Sequence, residues 1–262
     1  MVYGVKNVLL YKQQKEEISE NKDLEMLAKL KININIGQRQ IQRYNLGNAI
    51  SPNEAINILI ITKGRSGSSF LGQLLSQYPG TFYSYEPLHY RNKFATPKEQ
   101  MQLTKEVFQC NPSQGYVQHL KGWGRKPNIR YQDVCNTLPE DACFLREVYS
   151  TSCERFPIRL IKAIRFPYNE TENLLLDPEM GGRLKIIFLF RDPRGRFNSL
   201  KNKMHWCGDN KCNVSQFCTD LKDQVFEAVN AKKKYKGKIF SKTSWYDRTV
   251  SNDLKIILFE RT

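Results

Sequence analysis

Apolar positions along the chain gather into short runs that are rich in β-branched or aromatic residues and cut off by polar turns. Ile56 to Ile61 (INILII) is the first, Thr81 to Tyr85 (TFYSY) the second and Ile158 to Ile164 (IRLIKAI) the third. Leu184 to Phe190 (LKIIFLF) is almost continuously apolar, as expected of a strand buried on both faces. Helical spacing follows the first run, with Leu71, Leu74 and Leu75 on one side of a segment from Phe70 to Gln77 that Tyr78-Pro79-Gly80 ends. Pro97 to Phe108 also reads as a helix, and Pro193 opens another, since its missing N–H would be unpaired there anyway. Cys110 to Lys126 reads as loop, and Glu172 to Met180 as an irregular approach to the fourth strand. Strands alternating with helices predict one α/β domain with a central parallel sheet and flanking helices. Residues 1–50 are polar and charged and read as a stem or linker, with the domain at 51–262.

The first strand runs into Thr62-Lys63-Gly64-Arg65-Ser66-Gly67-Ser68-Ser69 and then Phe70, the strand, tight loop and helix order of a phosphate-binding unit. Two glycines let backbone N–H groups converge, the helix adds its positive N-terminal end, and Lys63, Arg65 and the hydroxyls add charge and donors. An ordinary strand-to-helix turn with a serine cap is the plain alternative. The second strand delivers Glu86-Pro87-Leu88-His89 to a strand end, where open α/β sheets place their ligands. The third ends near Arg165, and the fourth runs straight into Arg191-Asp192-Pro193-Arg194. Arg191 and Ser199, two turns further on, can reach one ligand, and a guanidinium fork matches two phosphate oxygens at once. The competing reading makes Arg191 and Asp192 a structural ion pair.

Charge sharpens this picture. The 41 basic and 26 acidic residues give a formal +15, which favours polyanions, phosphorylated ligands or membrane surfaces. No apolar run approaches the roughly 18 to 20 residues of a membrane-spanning helix, so no anchor is expected. The 7 cysteines all follow residue 109, and Asn169-Glu170-Thr171 and Asn213-Val214-Ser215 are glycosylation triplets; together they lean towards an oxidising secretory lumen. No nucleic-acid recognition motif or internal repeat is present.

Lys63 to Phe70 together with Arg191 to Ser199 resembles the two nucleotide-sulfate-binding motifs of sulfotransferases. The forms RSGSSF and FRDPRGRFNS, with EPL between them, are similar to those of Golgi carbohydrate sulfotransferases acting on the 6-hydroxyl of galactose or N-acetylhexosamine. The resemblance covers about residues 54 to 230 and implies a P-loop-like sulfotransferase fold. It implies 3'-phosphoadenosine 5'-phosphosulfate as donor and a glycan or glycoprotein as acceptor, with no metal and no nucleic acid. Lys63, Gly64, Arg65, Ser66, Gly67, Ser68, Ser69 and Phe70 would cradle the 5'-phosphosulfate, and Arg191 and Ser199 the 3'-phosphate. Arg65 would stabilise charge, Glu86 would be the general base and His89 the alternative base. Family members sit in the Golgi lumen on a single N-terminal membrane helix, which this sequence does not show. The tail from about 241 to 262 departs from the family's late Arg-Tyr-Glu-Asp stretch. Cys207, Cys212 and Cys218 look like the family's cysteine-bearing region after the second motif, where disulfides would brace the acceptor side; zinc with His205 is a less regular reading. The rival functions are a catalytically inactive, truncated relative that binds nucleotide or a polyanionic glycan, and a nucleotide kinase. The kinase loop needs GxxxxGK[ST], which Gly64 to Ser69 does not supply.

Overall fold

A computed structural model describes residues 49–91, 96–123, 127–136, 138–180, 182–203 and 213–244. Stem residues 1–48, the tail beyond residue 244, His205, Cys207 and Cys212 lie outside the described residues. The strands are β1 (Ile56–Thr62), β2 (Thr81–Tyr85), β3 (Ile158–Ala163), β4 (Leu184–Arg191) and β5 (Ile239–Ser244). The helices are α1 (Ser68–Ser76), α2 (Pro97–Phe108), α3 (Gln114–His119), α4 (Ile129–Cys135), α5 (Glu140–Cys143), α6 (Arg146–Glu154), α7 (Thr171–Leu176), α8 (Pro193–Lys203) and α9 (Val214–Lys234). All strand pairs are parallel, in the order β2-β3-β1-β4-β5. β1 is therefore central, and the chain passes to opposite sides of it. That makes the carboxyl end of β1 a topological switch point, the place where such sheets bind ligands.

Helices cover both faces. One face buries Leu59, Ile61, Phe82, Ile161 and Phe188 beneath residues of α2, α3, α4, α6 and α7. The other, smaller core joins Ile60, Tyr83, Leu160 and Leu189 to Leu75 of α1. Alternation along β1 divides Leu59 and Ile61 from Ile60, as the period of a strand requires.

Two stretches read as irregular are helical. Ser113 caps α3 by accepting the Tyr116 N–H at 3.3 Å, which rescues a short helix that Pro112 and Gly115 disguise. The segment after Glu170 forms α7, with Leu174 and Leu175 buried. Two disulfides, Cys110–Cys153 and Cys135–Cys143, fasten the helices on the larger core. Arg159, fully buried, donates to the carbonyls of Phe108 and Ile50, each at 2.7 Å, tying the end of α2 to the segment entering β1.

α1 sits close to the sheet because Gly72 faces Tyr83. A Cβ at Gly72 would lie 2.6 Å from the Tyr83 Cζ. Gly72→Ala is expected to destabilise the domain by about 1–3 kcal/mol through overpacking. The Tyr83 hydroxyl is buried without a partner, so Tyr83→Phe should be neutral or stabilising and should relieve part of the Gly72→Ala cost. Urea unfolding of the two single variants and the double variant checks this.

Candidate active site

The carboxyl ends of β1, β3 and β4 converge with the first turns of α1 and α8. Residues 63–67 leave β1 through two left-handed positions, Arg65 at φ 69° and Gly67 at φ 85°. Gly67 adopts this freely, and open space surrounds its Cα, so the conformation rather than crowding calls for glycine. Arg65 carries a penalty of roughly 1–2 kcal/mol for the same geometry. The Ser66 hydroxyl donates to the Lys63 carbonyl at 2.7 Å and closes the loop on itself. Gly67 precedes α1 without a side-chain cap, so the first N–H groups of α1 are offered to an anion. Lys63 lies 5.5 Å above the Tyr168 ring, and burial, with the Arg196 charge next, lowers its pKa.

The second motif closes on this loop. Arg191 Nη1 donates to the Arg65 carbonyl at 2.9 Å, and Arg196 Nε donates to the Gly64 carbonyl at 2.9 Å. Arg65 Nε in turn reaches the Ser199 hydroxyl at 2.9 Å. Asp192 does not pair with Arg191; it takes the side chain of Arg194 at 2.6 Å and caps α8 by accepting the Arg194 N–H at 2.8 Å. Those bonds to Arg194 hold its carboxyl down at about 2. With its acid so occupied, the motif presents Arg191, Arg196 and Ser199 to the loop. Arg196 escaped notice because one arginine among several in RDPRGR carries no distinguishing signal.

Glu86 is 6% exposed and ends β2 at φ 46°, a left-handed value that bends the chain there. Lys162 pairs with Oε1 and Arg165 with Oε2 at 3.1 Å. Lys162, 2% exposed, also lies 4.2 Å above the Tyr85 ring and 3.5 Å from the Ser69 hydroxyl. It thereby links the carboxylate to the start of α1. The signal for Lys162 was its place, with Arg159, among the apolar residues of β3, since a lysine buried there must find a partner.

His89 stands one turn beyond Glu86. Its Nδ1 is 3.3 Å from the His119 Nε2, and its ring stacks on Trp123 with centroids 3.9 Å apart. Burial, then the Arg165 charge, lowers the His89 pKa, and burial lowers that of His119. Both rings are thus depressed below an unfolded value of about 6.5. The stability they confer is complete above that value and is lost as pH falls through the lower folded values. Thermal scans between about pH 7.5 and 5 should show Tm falling on the acid side, with a shallower fall in His89→Gln/His119→Gln.

No protein-family model matches this chain. Human carbohydrate sulfotransferase 5 is 28% identical over 174 residues, which cover 56% of this chain and 42% of that protein. Carbohydrate sulfotransferase 1 of Danio rerio is 27% identical over 183 residues, covering 55% and 43%. Carbohydrate sulfotransferase 7 of Rattus norvegicus is 27% identical over 195 residues, covering 58% and 40%. Over rather more than half its length the chain is similar to carbohydrate sulfotransferases. The matched segments span less than half the length of these relatives. Among solved structures, the sulfotransferase domain of the Synechococcus PCC 7002 olefin synthase superposes with a TM-score of 0.42 at 16% identity, covering 75% of this chain and 68% of that one. The two disulfides fit an oxidising compartment. Cys218 is free and exposed among the described residues, where no helix is long and apolar enough to cross a membrane and no acid, histidine or cysteine cluster could hold a metal.

Proposed function

We propose that the protein transfers a sulfuryl group from 3'-phosphoadenosine 5'-phosphosulfate to a glycan hydroxyl, the 6-hydroxyl of a galactose or N-acetylhexosamine. The observation that carries this reading is the clasp between two loops far apart in sequence: Arg191 and Arg196 bind the carbonyls of Arg65 and Gly64, and Arg65 binds Ser199. Cations and N–H groups gathered there suit a ligand with two separated phosphate groups, and Asp192, the acid within the second motif, is occupied by Arg194.

When bound, the donor supplies the sulfuryl group and a nucleotide phosphate as leaving group. Arg65, Lys63, the hydroxyls of Ser68 and Ser69 and the first N–H groups of α1 oppose the negative charge that grows on the bridging oxygen, while the Ser66 hydroxyl holds the cradle closed on the Lys63 carbonyl. Gly64, Gly67 and Phe70 shape that cradle. Arg191 and Ser199 hold the second phosphate. Glu86 accepts the proton of the acceptor hydroxyl, oriented by Lys162 and Arg165, and His89 is the alternative base. The Golgi lumen supplies the setting, with the glycan or glycoprotein as partner.

Radiolabelled sulfate transfer to keratan-, chondroitin- and N-acetylglucosamine-type glycans tests this. Label on a glycan that vanishes in Arg65→Ala supports the assignment and names the acceptor. Donor binding without transfer identifies a non-catalytic relative, and absence of donor binding rejects the reading.

A further inference from the structure

Two guanidinium groups of the second motif bind consecutive carbonyls of the first loop, and one of them is held from behind. Arg196 donates through Nε to the Gly64 carbonyl, while its guanidinium carbon lies 4.2 Å above the Phe217 ring. Phe217 belongs to α9 and meets Phe197 of α8 edge to face at 6.2 Å. Arg196 is thus buried on one side against α9 and points its edge at the loop.

The carbonyl oxygen and the amide hydrogen of a trans peptide point in opposite directions. Fixing the Gly64 oxygen towards α8 therefore turns the Arg65 N–H to the other side, and fixing the Arg65 oxygen through Arg191 does the same for the Ser66 N–H. The Gly64–Arg65 peptide is also the one under strain, because Arg65 has φ 69°. Rotating that peptide by half a turn would bring Arg65 to an ordinary negative φ and reverse its N–H. A charge-assisted hydrogen bond contributes more than that strain costs, so the bond from Arg196 decides which way the peptide faces.

We propose that Arg196, braced on Phe217, is a positioning residue that locks the Gly64–Arg65 peptide so that its N–H faces the donor anion. This rests on the donor reading above. It couples donor affinity to the seating of α9, whose Phe217 lies against this guanidinium.

Titration calorimetry with adenosine 3',5'-bisphosphate tests it on the full chain. Arg196→Ala is expected to raise Kd about tenfold, equivalent to about 1.4 kcal/mol. Phe217→Leu should raise it about threefold, and the double variant should match Arg196→Ala alone, since the brace has nothing left to hold. Lys201→Ala removes one positive charge from an exposed position of the same helix and should change Kd less than about twofold. A glycan titration should be unmoved in all of them. An unchanged Kd in Arg196→Ala, an equal loss in Lys201→Ala, or additive effects in the double variant would overturn the proposal while leaving the donor reading intact. If the unaltered chain binds no bisphosphate nucleotide, the donor reading falls and this proposal falls with it.

Discussion

Glu86→Ala is expected to lower the melting temperature by roughly 10 °C before it says anything about catalysis. Lys162 is 2% exposed on its side chain and Glu86 7%, so truncating the acid strands a buried ammonium group. Breaking such a pair from one side costs about 3–5 kcal/mol, and a domain of this size loses some 2–4 °C per kcal/mol. Arg165 does not compensate, being a second cation on the same carboxylate. Glu86→Gln keeps an oxygen towards Lys162 and should lose much less stability while still removing the proposed base. Glu86→Met with Lys162→Met should recover most of the loss, because neither charge then remains. Denaturation of Glu86→Met, Lys162→Met and the double variant, read as a double-mutant cycle, checks the pairing; additive losses would show that the two side chains are energetically separate.

Arg65→Ala is the sharper test of chemistry. Arg65 is exposed, and alanine occupies the same left-handed backbone at a similar cost, so unfolding should move by less than about 0.5 kcal/mol. Transfer should fall by roughly a hundred- to a thousandfold, the usual effect of removing one donor from a site of developing charge. Arg65→Lys should restore only part of it, since an ammonium group cannot both reach the Ser199 hydroxyl through a planar fork and face the ligand. Single-turnover transfer with saturating donor is the measurement. A rate within threefold of the unaltered protein would remove Arg65 from the reaction.

The strands were legible because burial on both faces leaves little room for polar residues: INILII, TFYSY and LKIIFLF fall within or match β1, β2 and β4. Pro97 to Phe108 was legible to the residue, since Thr96 and Glu99 form a capping box around a helix-starting proline. The loop at 63–67 could be read as an anion cradle from its glycines and hydroxyls. Its hold on the second motif could not, because that depends on β1 and β4 lying side by side. Lys162 was hidden for the same reason. Its pairing with Glu86 follows from the register that sets Tyr85 beside Lys162, a relation between segments 76 residues apart. Disulfide partners were equally out of reach, as spacing alone does not choose among cysteines.

The sheet order also constrains when the protein becomes itself during synthesis. β1 leaves the ribosome early, yet both of its neighbours, β3 and β4, are made much later. The arginines that shape its loop lie 126 and 132 residues downstream of the carbonyls they bind. A nascent chain that has released β1 and α1 therefore exposes an apolar strand with two open edges and a turn with nothing to fix it. The bonds that fix the loop can form only once β4 and α8 have been made, and contacts of such sequence separation slow folding. On the proposed function, anion affinity belongs to the finished polypeptide and is acquired at the end of folding rather than inherited from the loop that would carry it.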